Sequence, residues 1–264
     1  MKIPLYQVDA FSNQPFRGNP AAICPLDQWL PDDVMQSIAA ENNLAETAFF
    51  VKKGPLGRFG LRWFTPAVEV DLCGHATLAA AHVIFSYLQP GLPEVFFESK
   101  SGELSVRRAM NLLTLDFPSR PPQECASVDP SLLAALGGTP QKVLAARDYM
   151  VVYGSEDEVR NLKPDMNGLM NIDRFAVIVT APGSGNVDFV SRFFAPAKGV
   201  PEDPVTGSAH CTLVPYWADR LGKNELHALQ VSPRGGELWC ELDGDRVRMS
   251  GHAVRTIEGH FFLE

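Results

Sequence analysis

The chain has 264 residues, 45% apolar and 20% charged, a composition ordinary for a soluble globular protein. Acidic residues outnumber basic ones by 31 to 23, for a formal net charge of −8, and no run of Lys or Arg exceeds two residues. This balance argues against nucleic acid as a partner, and the length allows one large or two small domains.

Five cysteines are scattered at 24, 73, 125, 211 and 240, with no C-x-x-C. An odd, dispersed set reads as reduced thiols of a cytoplasmic protein rather than a disulfide framework or zinc site. Asp9 stands where a signal peptide would be apolar. The longest apolar run, Leu72 to Leu88, contains His75 and His82 and is too short for a membrane span.

In chain order, Ile3 to Phe11 reads as a strand, Gly18-Asn19-Pro20 as a turn and Ala21 to Cys24 as a short strand. Trp29 to Asn43 is predicted as a helix with Asp32 or Asp33 near its start. Leu44 to Val51 is a strand apolar on both faces except for Glu46. Glu46 is therefore either a rim residue paired with Lys or Arg or a carboxyl in a protected cleft. In a cleft, low dielectric raises a carboxyl's pKa and suits it to proton transfer near neutrality. Gly60 to Phe64 is a strand leading to an enclosed apolar helix, Ala76 to Leu88, which Pro90-Gly91-Leu92-Pro93 stops. Strands follow at Val95 to Glu98, Glu103 to Arg107 and Leu112 to Phe117. The Pro-rich stretch from Asp116 to Pro122 places a domain boundary near residue 118.

The second half repeats this style. Helices are predicted at Ser127 to Leu136 and Ser155 to Leu162. Strands are predicted at Val143 to Ala146, Met150 to Gly154, Phe175 to Thr180 and Phe189 to Ala195. A second apolar helix runs from Ser208 through Trp217 towards Gly222, with a kink predicted at Pro215. Leu229 to Ser232, Glu237 to Leu242, Arg246 to Gly251 and Ala253 to Phe262 close the chain as strands, the last returning to the first domain.

The halves match in sequence. Arg62, Phe64, Pro66 and Ala67 recur as Arg192, Phe194, Pro196 and Ala197, and Gly74 and Ala76 recur as Gly207 and Ala209. This is the signature of a duplicated unit. The expected fold is α+β: two pseudo-symmetric domains, each a strongly curved, barrel-like sheet wrapped around a central helix. They span 1–118 and 119–252, with 253–264 joining the first.

Each repeat opens its helix with a Gly-x-Ala step, where unpaired N–H groups and a glycine suit close approach of an anion. Two such helix starts across a pseudo-two-fold cleft suit a small carboxylate; ordinary loop-to-helix turns are the plainer reading. Glu46, His75 and Asp203 are the ionisable groups nearby. His75, in a helix first turn, is expected to be neutral. Asp203 either caps its helix or acts in catalysis. Cys73 precedes a helix N-terminus, which is expected to lower its thiol pKa. Its counterpart is Thr206, so a symmetric two-thiol reaction is not available. No P-loop, G-x-G-x-x-G or metal-ligand spacing is present, which leaves cofactor-free proton transfer.

Gly18-Asn19-Pro20-Ala21-Ala22, Asn42 to Phe49, Phe64 to Thr77, Glu202 to His210 and Gln230 to Gly236 together resemble the phenazine-biosynthesis PhzF-like family over nearly the whole chain. The resemblance implies the diaminopimelate epimerase-like fold and a cofactor-independent isomerase acting on a small carboxylate-bearing metabolite held between the domains. It implies Glu46, His75 and Asp203 as catalytic groups and a homodimer. The characterised enzyme of the family isomerises a dihydro-hydroxyanthranilate. Asn19, Cys73, Gly74, Thr206, Gly207 and Ser208 are expected to bind substrate, and no metal or cofactor is expected. The alternatives are an epimerase or dehydratase using Cys73 alone, and a non-catalytic metabolite-binding or protein-interaction module.

Overall fold

The computed structural model describes residues 1–125 and 127–263. Ala126, in the second predicted domain, and Glu264, at the end of the predicted last strand, lie outside the described residues. The fold is α+β, with curved mixed sheet and few helices, and the chain divides into two compact units. Unit 1 comprises Met1–Asp116 and the C-terminal stretch from Ser250; unit 2 is Phe117–Met249.

Through unit 1 the order is β1 (Lys2–Ala10), β2 (Asn19–Leu26), α1 (Asp32–Asn42), β3 (Glu46–Lys52), β4 (Arg58–Phe64), β5 (Glu69–Val70), α2 (Gly74–Val83), β6 (Glu94–Ser99), β7 (Gly102–Ala109) and β8 (Leu112–Pro118). Then follow β9 (Gln123–Glu124), α3 (Pro130–Leu136), β10 (Lys142–Ala145), β11 (Tyr149–Val152), α4 (Glu156–Asn161), α5 (Met166–Leu169), β12 (Val177–Pro182), β13 (Phe189–Ala195), β14 (Val200–Asp203), α6 (Gly207–Leu221), β15 (Glu225–Gln230), β16 (Gly236–Asp243), β17 (Arg246–Gly251) and β18 (Ala253–Phe262).

Strand pairing repeats element for element. In unit 1, β1 and β2 are antiparallel, β2 and β3 parallel, β3 and β4 antiparallel, and β4 pairs antiparallel with β5 and parallel with β6. In unit 2, β10 to β15 follow the same sequence of pairings. The registers also correspond: Thr47 faces Phe64 in one copy and Val177 faces Phe194 in the other. β18 returns to pair antiparallel with β1.

The central helices carry the cores. In α2, eight of the ten side chains from Gly74 to Val83 are buried, which explains why its sequence is apolar all round. It packs on β1, β2 and β3, and the chain continues past Val83 as a π-helical turn, Ile84–Leu88. In α6, Trp217 stacks on Phe189 at 5.7 Å and donates its indole N–H to Thr180 Oγ1 at 3.0 Å. Pro215 lies inside α6 and cannot bond the Cys211 carbonyl one turn back. That carbonyl instead accepts the Arg120 N–H at 2.8 Å, tying the segment that enters unit 2 to its central helix.

Several boundaries differ from the sequence expectation. Asn19 and Pro20 belong to β2, where they face Ala10 and Asp9, rather than to a turn. The first helix starts at Asp32, after Pro31, instead of at Trp29. β15 covers Glu225–Gln230 instead of Leu229–Ser232, because Glu225 and His227 interrupt an alternating pattern whose other face is buried.

Two partly buried ion pairs brace the β4–β5 and β13–β14 hairpins. Arg62 holds Glu69 by two bonds of 2.7 and 2.9 Å, and Arg192 holds Glu202 by two bonds of 2.7 and 3.0 Å. Arg62, followed by Lys100, holds the Glu69 carboxyl down at about 2 despite its burial. A depressed carboxyl adds stability above its unfolded value and loses it as pH falls through the folded one. The Arg62→Met protein is therefore expected to begin unfolding at a higher pH than the wild type when titrated with acid and followed by circular dichroism.

Candidate active site

Three element starts converge in unit 1. Asn19 opens β2, Glu46 opens β3, and His75 is the second residue of α2. β2 and β3 are parallel, with Ala21 facing Glu46, so both strands bring their first residues to the same edge. His75 is 5% exposed. Its Nε2 lies 3.1 Å from Glu46 Oε2. Its Nδ1 lies 3.2 Å from the Asn19 side-chain amide and 3.5 Å from the Cys73 sulfur. Nε2 and Oε2 are close but out of line for a hydrogen bond, and neither buried atom makes one among the described residues. Unsatisfied buried polar atoms are rare, and a facing pair at one spot marks a place suited to a ligand.

Electrostatics correct two expectations. Burial opposes charge on the His75 ring, but the Cys73 sulfur and the Glu46 carboxylate favour it and prevail, raising His75 well above the ordinary imidazole value. The helix N-terminus does not keep it neutral against so close a carboxylate. Cys73 is not activated: burial, with Glu46 adding to it, pushes the thiol up to about 11. With the thiol protonated, Glu46 is the neighbour that favours charge on His75. Iodoacetamide is expected to leave Cys73 almost untouched at pH 7.5, with a rate that climbs about tenfold per pH unit until near 11. Peptide mass mapping across pH checks this.

Donor atoms of Glu46, Cys73 and His75 lie within 4.8 Å of one another, close enough to hold a metal ion. Glu46 and Cys73 nevertheless approach different nitrogens of the same ring. The donors flank the imidazole rather than surround one point, an arrangement suited to moving a proton across the ring.

Unit 2 carries Asp203 at the end of β14, three residues before the α6 N-cap Thr206. The Thr206 hydroxyl donates to Asp203 Oδ2 at 2.5 Å. The Thr206 N–H donates to Gln230 Oε1 at 2.8 Å, and Gln230 Nε2 donates to the Asp203 carbonyl at 2.7 Å and to Thr206 Oγ1 at 3.1 Å. Both polar groups of Thr206 thus have partners within the unit. Ser208, second in α6, accepts from Arg147 at 3.3 Å. Gly74 and Gly207 are the first residues of their helices, whose opening N–H groups lack acceptors within the helix.

The repeat extends to features that the sequence alone did not expose. Ser101 Oγ donates to the Asp71 carbonyl and Ser232 Oγ to the Pro204 carbonyl, each at 2.8 Å, so each copy ties its pre-helix turn to the chain beyond the following strand. Thr77 Oγ1 bonds the Cys73 carbonyl at 2.6 Å, and His210 Nδ1 sits 2.9 Å from the Thr206 carbonyl, one turn inside each helix. The glutamates of the Arg62 and Arg192 pairs repeat in step with the glycines, a signal the sequence did contain.

Comparison with known proteins fits this architecture. A crystal structure of a hydroxyproline epimerase from Agrobacterium vitis superposes with a TM-score of 0.62 at 9% identity, covering 98% of this chain and 92% of that one. That likeness shows the fold alone: the curved α+β architecture seen in epimerases and racemases. The family model described as phenazine biosynthesis-like protein matches residues 8–259, and the chain belongs to that family. It is 54% identical to an "uncharacterized isomerase" of Pseudomonas aeruginosa, over 100% of both chains. A crystal structure of a PhzF-family phenazine biosynthesis protein from Enterococcus faecalis matches with a TM-score of 0.96 and 47% identity, covering both chains fully. Among the described residues no helix is long and apolar enough to cross a membrane.

Proposed function

We propose that the protein is a cofactor-independent isomerase that shifts a proton within a small carboxylate-bearing metabolite. The naming of its relatives supports isomerase chemistry in general. The observation that carries the finer reading is the Glu46–His75 pair, whose buried facing atoms lie 3.1 Å apart without a hydrogen bond. Glu46 takes a proton from carbon and returns it elsewhere on the same substrate. His75 stabilises the charge that develops, and Asn19 orients the ring. Asp203 handles an amino or hydroxyl group of the substrate. Gly74, Gly207 and Ser208, each at a helix start with open N–H groups, are substrate-binding residues in this reading. A homodimer in the cytoplasm goes with this reading.

The Cys73-only reaction is the weaker reading, because a thiol pushed up to about 11 is a poor base near neutrality. The test is incubation in D₂O with dihydro-hydroxyanthranilate and a panel of small carboxylates, trans-4-hydroxy-L-proline among them, read by mass. Deuterium gained or a product formed only with active protein supports the proposal. No gain across the panel, with thermal stabilisation by one of its members, overturns it in favour of a binding module.

A further inference from the structure

One connected group of residues in the second unit departs from the repeat. Asp203 matches Val70, since they face Phe193 and Trp63 in register. Thr206 matches Cys73 as helix N-cap. Gln230 matches Ser99, since Ala228 faces Phe189 and Phe97 faces Phe59. These three residues, each different from its counterpart, bond to one another. We propose that Thr206 and Gln230 are positioning residues that hold Oδ2 of Asp203 permanently as a hydrogen-bond acceptor. The proposal rests on the reading of Asp203 as part of the site.

Donor and acceptor roles follow one from the next without choice. A backbone N–H can only donate, so the Thr206 N–H fixes the Gln230 amide with Oε1 towards it. The amide nitrogen then offers one hydrogen to the Asp203 carbonyl and the other to Thr206 Oγ1. With its oxygen taken as an acceptor, the Thr206 hydroxyl directs its own hydrogen at Asp203 Oδ2. Gln230 is fully buried and Thr206 is 7% exposed, so water does not compete for these bonds. Gly236 locks the frame from the other side, because a Cβ there would lie 2.2 Å from a Val205 methyl. Oδ2 of Asp203 is thereby fixed as an acceptor.

The test follows the Asp203 side-chain carboxyl by carbon-13 NMR through a pH titration of the full-length protein. Thr206→Val keeps the shape and removes the donor, and Thr206→Ser keeps the donor. Thr206→Val is expected to raise the titration midpoint by about one pH unit and Thr206→Ser to leave it in place. Gln230→Met, which frees the hydroxyl to turn away, is expected to raise it as well, and it decides the matter if Thr206→Val does not fold. Midpoints equal to wild type in the folded variants overturn the proposal. Asp203→Asn in the D₂O exchange assay tests the functional reading separately. Wild-type exchange there removes Asp203 from the chemistry, and the titration still reports on the relay.

Discussion

Replacing Glu46 by Gln is expected to lower turnover by about 10²- to 10⁴-fold, the span that a positioned general base contributes. The amide keeps the size of the side chain and its place at the start of β3, where Ala21 on β2 sets the backbone. Thermal unfolding is expected to change little, so the loss reads on chemistry. The same substitution removes the negative charge 3.1 Å from His75, so His75 loses the support that keeps it raised. NMR of the His75 ring in the variant is therefore expected to show titration at lower pH than in the wild type. Wild-type turnover of an identified substrate by Glu46→Gln would remove the base assignment.

The largest stability effect is expected at Arg192. Its side chain is 10% exposed and its partner Glu202 16%. Two of its nitrogens bind the carboxylate, a third donates to the carbonyls of Val159 and Leu162, and the guanidinium lies over the Phe194 ring at 4.9 Å. Arg192→Met preserves much of the bulk but strands a buried carboxylate and two carbonyls. Breaking such a pair costs about 3–5 kcal/mol. Urea denaturation followed by circular dichroism checks this. The double change Arg192→Met with Glu202→Gln is expected to recover part of the loss, because no unpaired charge remains. The loss would also loosen β14, which ends in Asp203, so activity is expected to fall with stability.

The duplicated plan was legible because Arg62, Phe64, Pro66, Gly74 and Ala76 and their counterparts sit where the backbone itself is constrained. The strand Phe189–Ala195, apolar at five of its seven positions, was legible to the residue. β15 was displaced because charged residues on its exposed face masked the buried alternation. α5, four residues long, is too short to show a helical period. Around His75, sequence order gave the helix start but not the carboxylate that Glu46 brings from another element. Cys73 went astray for a related reason: the helix start was visible, while the burial that outweighs it arises only on folding. Gln230 stood inside a familiar motif, yet its partners Asp203 and Thr206 lie on the far side of α6 in sequence, and no local pattern connects them.

The pairing of β1 with β18 sets an order of assembly. All of Phe117–Met249 leaves the ribosome before Ala253–Phe262 does, so unit 2 has its full complement of strands while β1 still has only β2 beside it. Until the last strand arrives, β1 presents a row of unpaired amides along its outer edge, open to the wrong strand or to another chain. Closing the longest loop in the molecule is also the slowest kind of contact to form. Refolding is thus expected to be limited by this final zipper, and C-terminal truncation to be felt first as aggregation during synthesis.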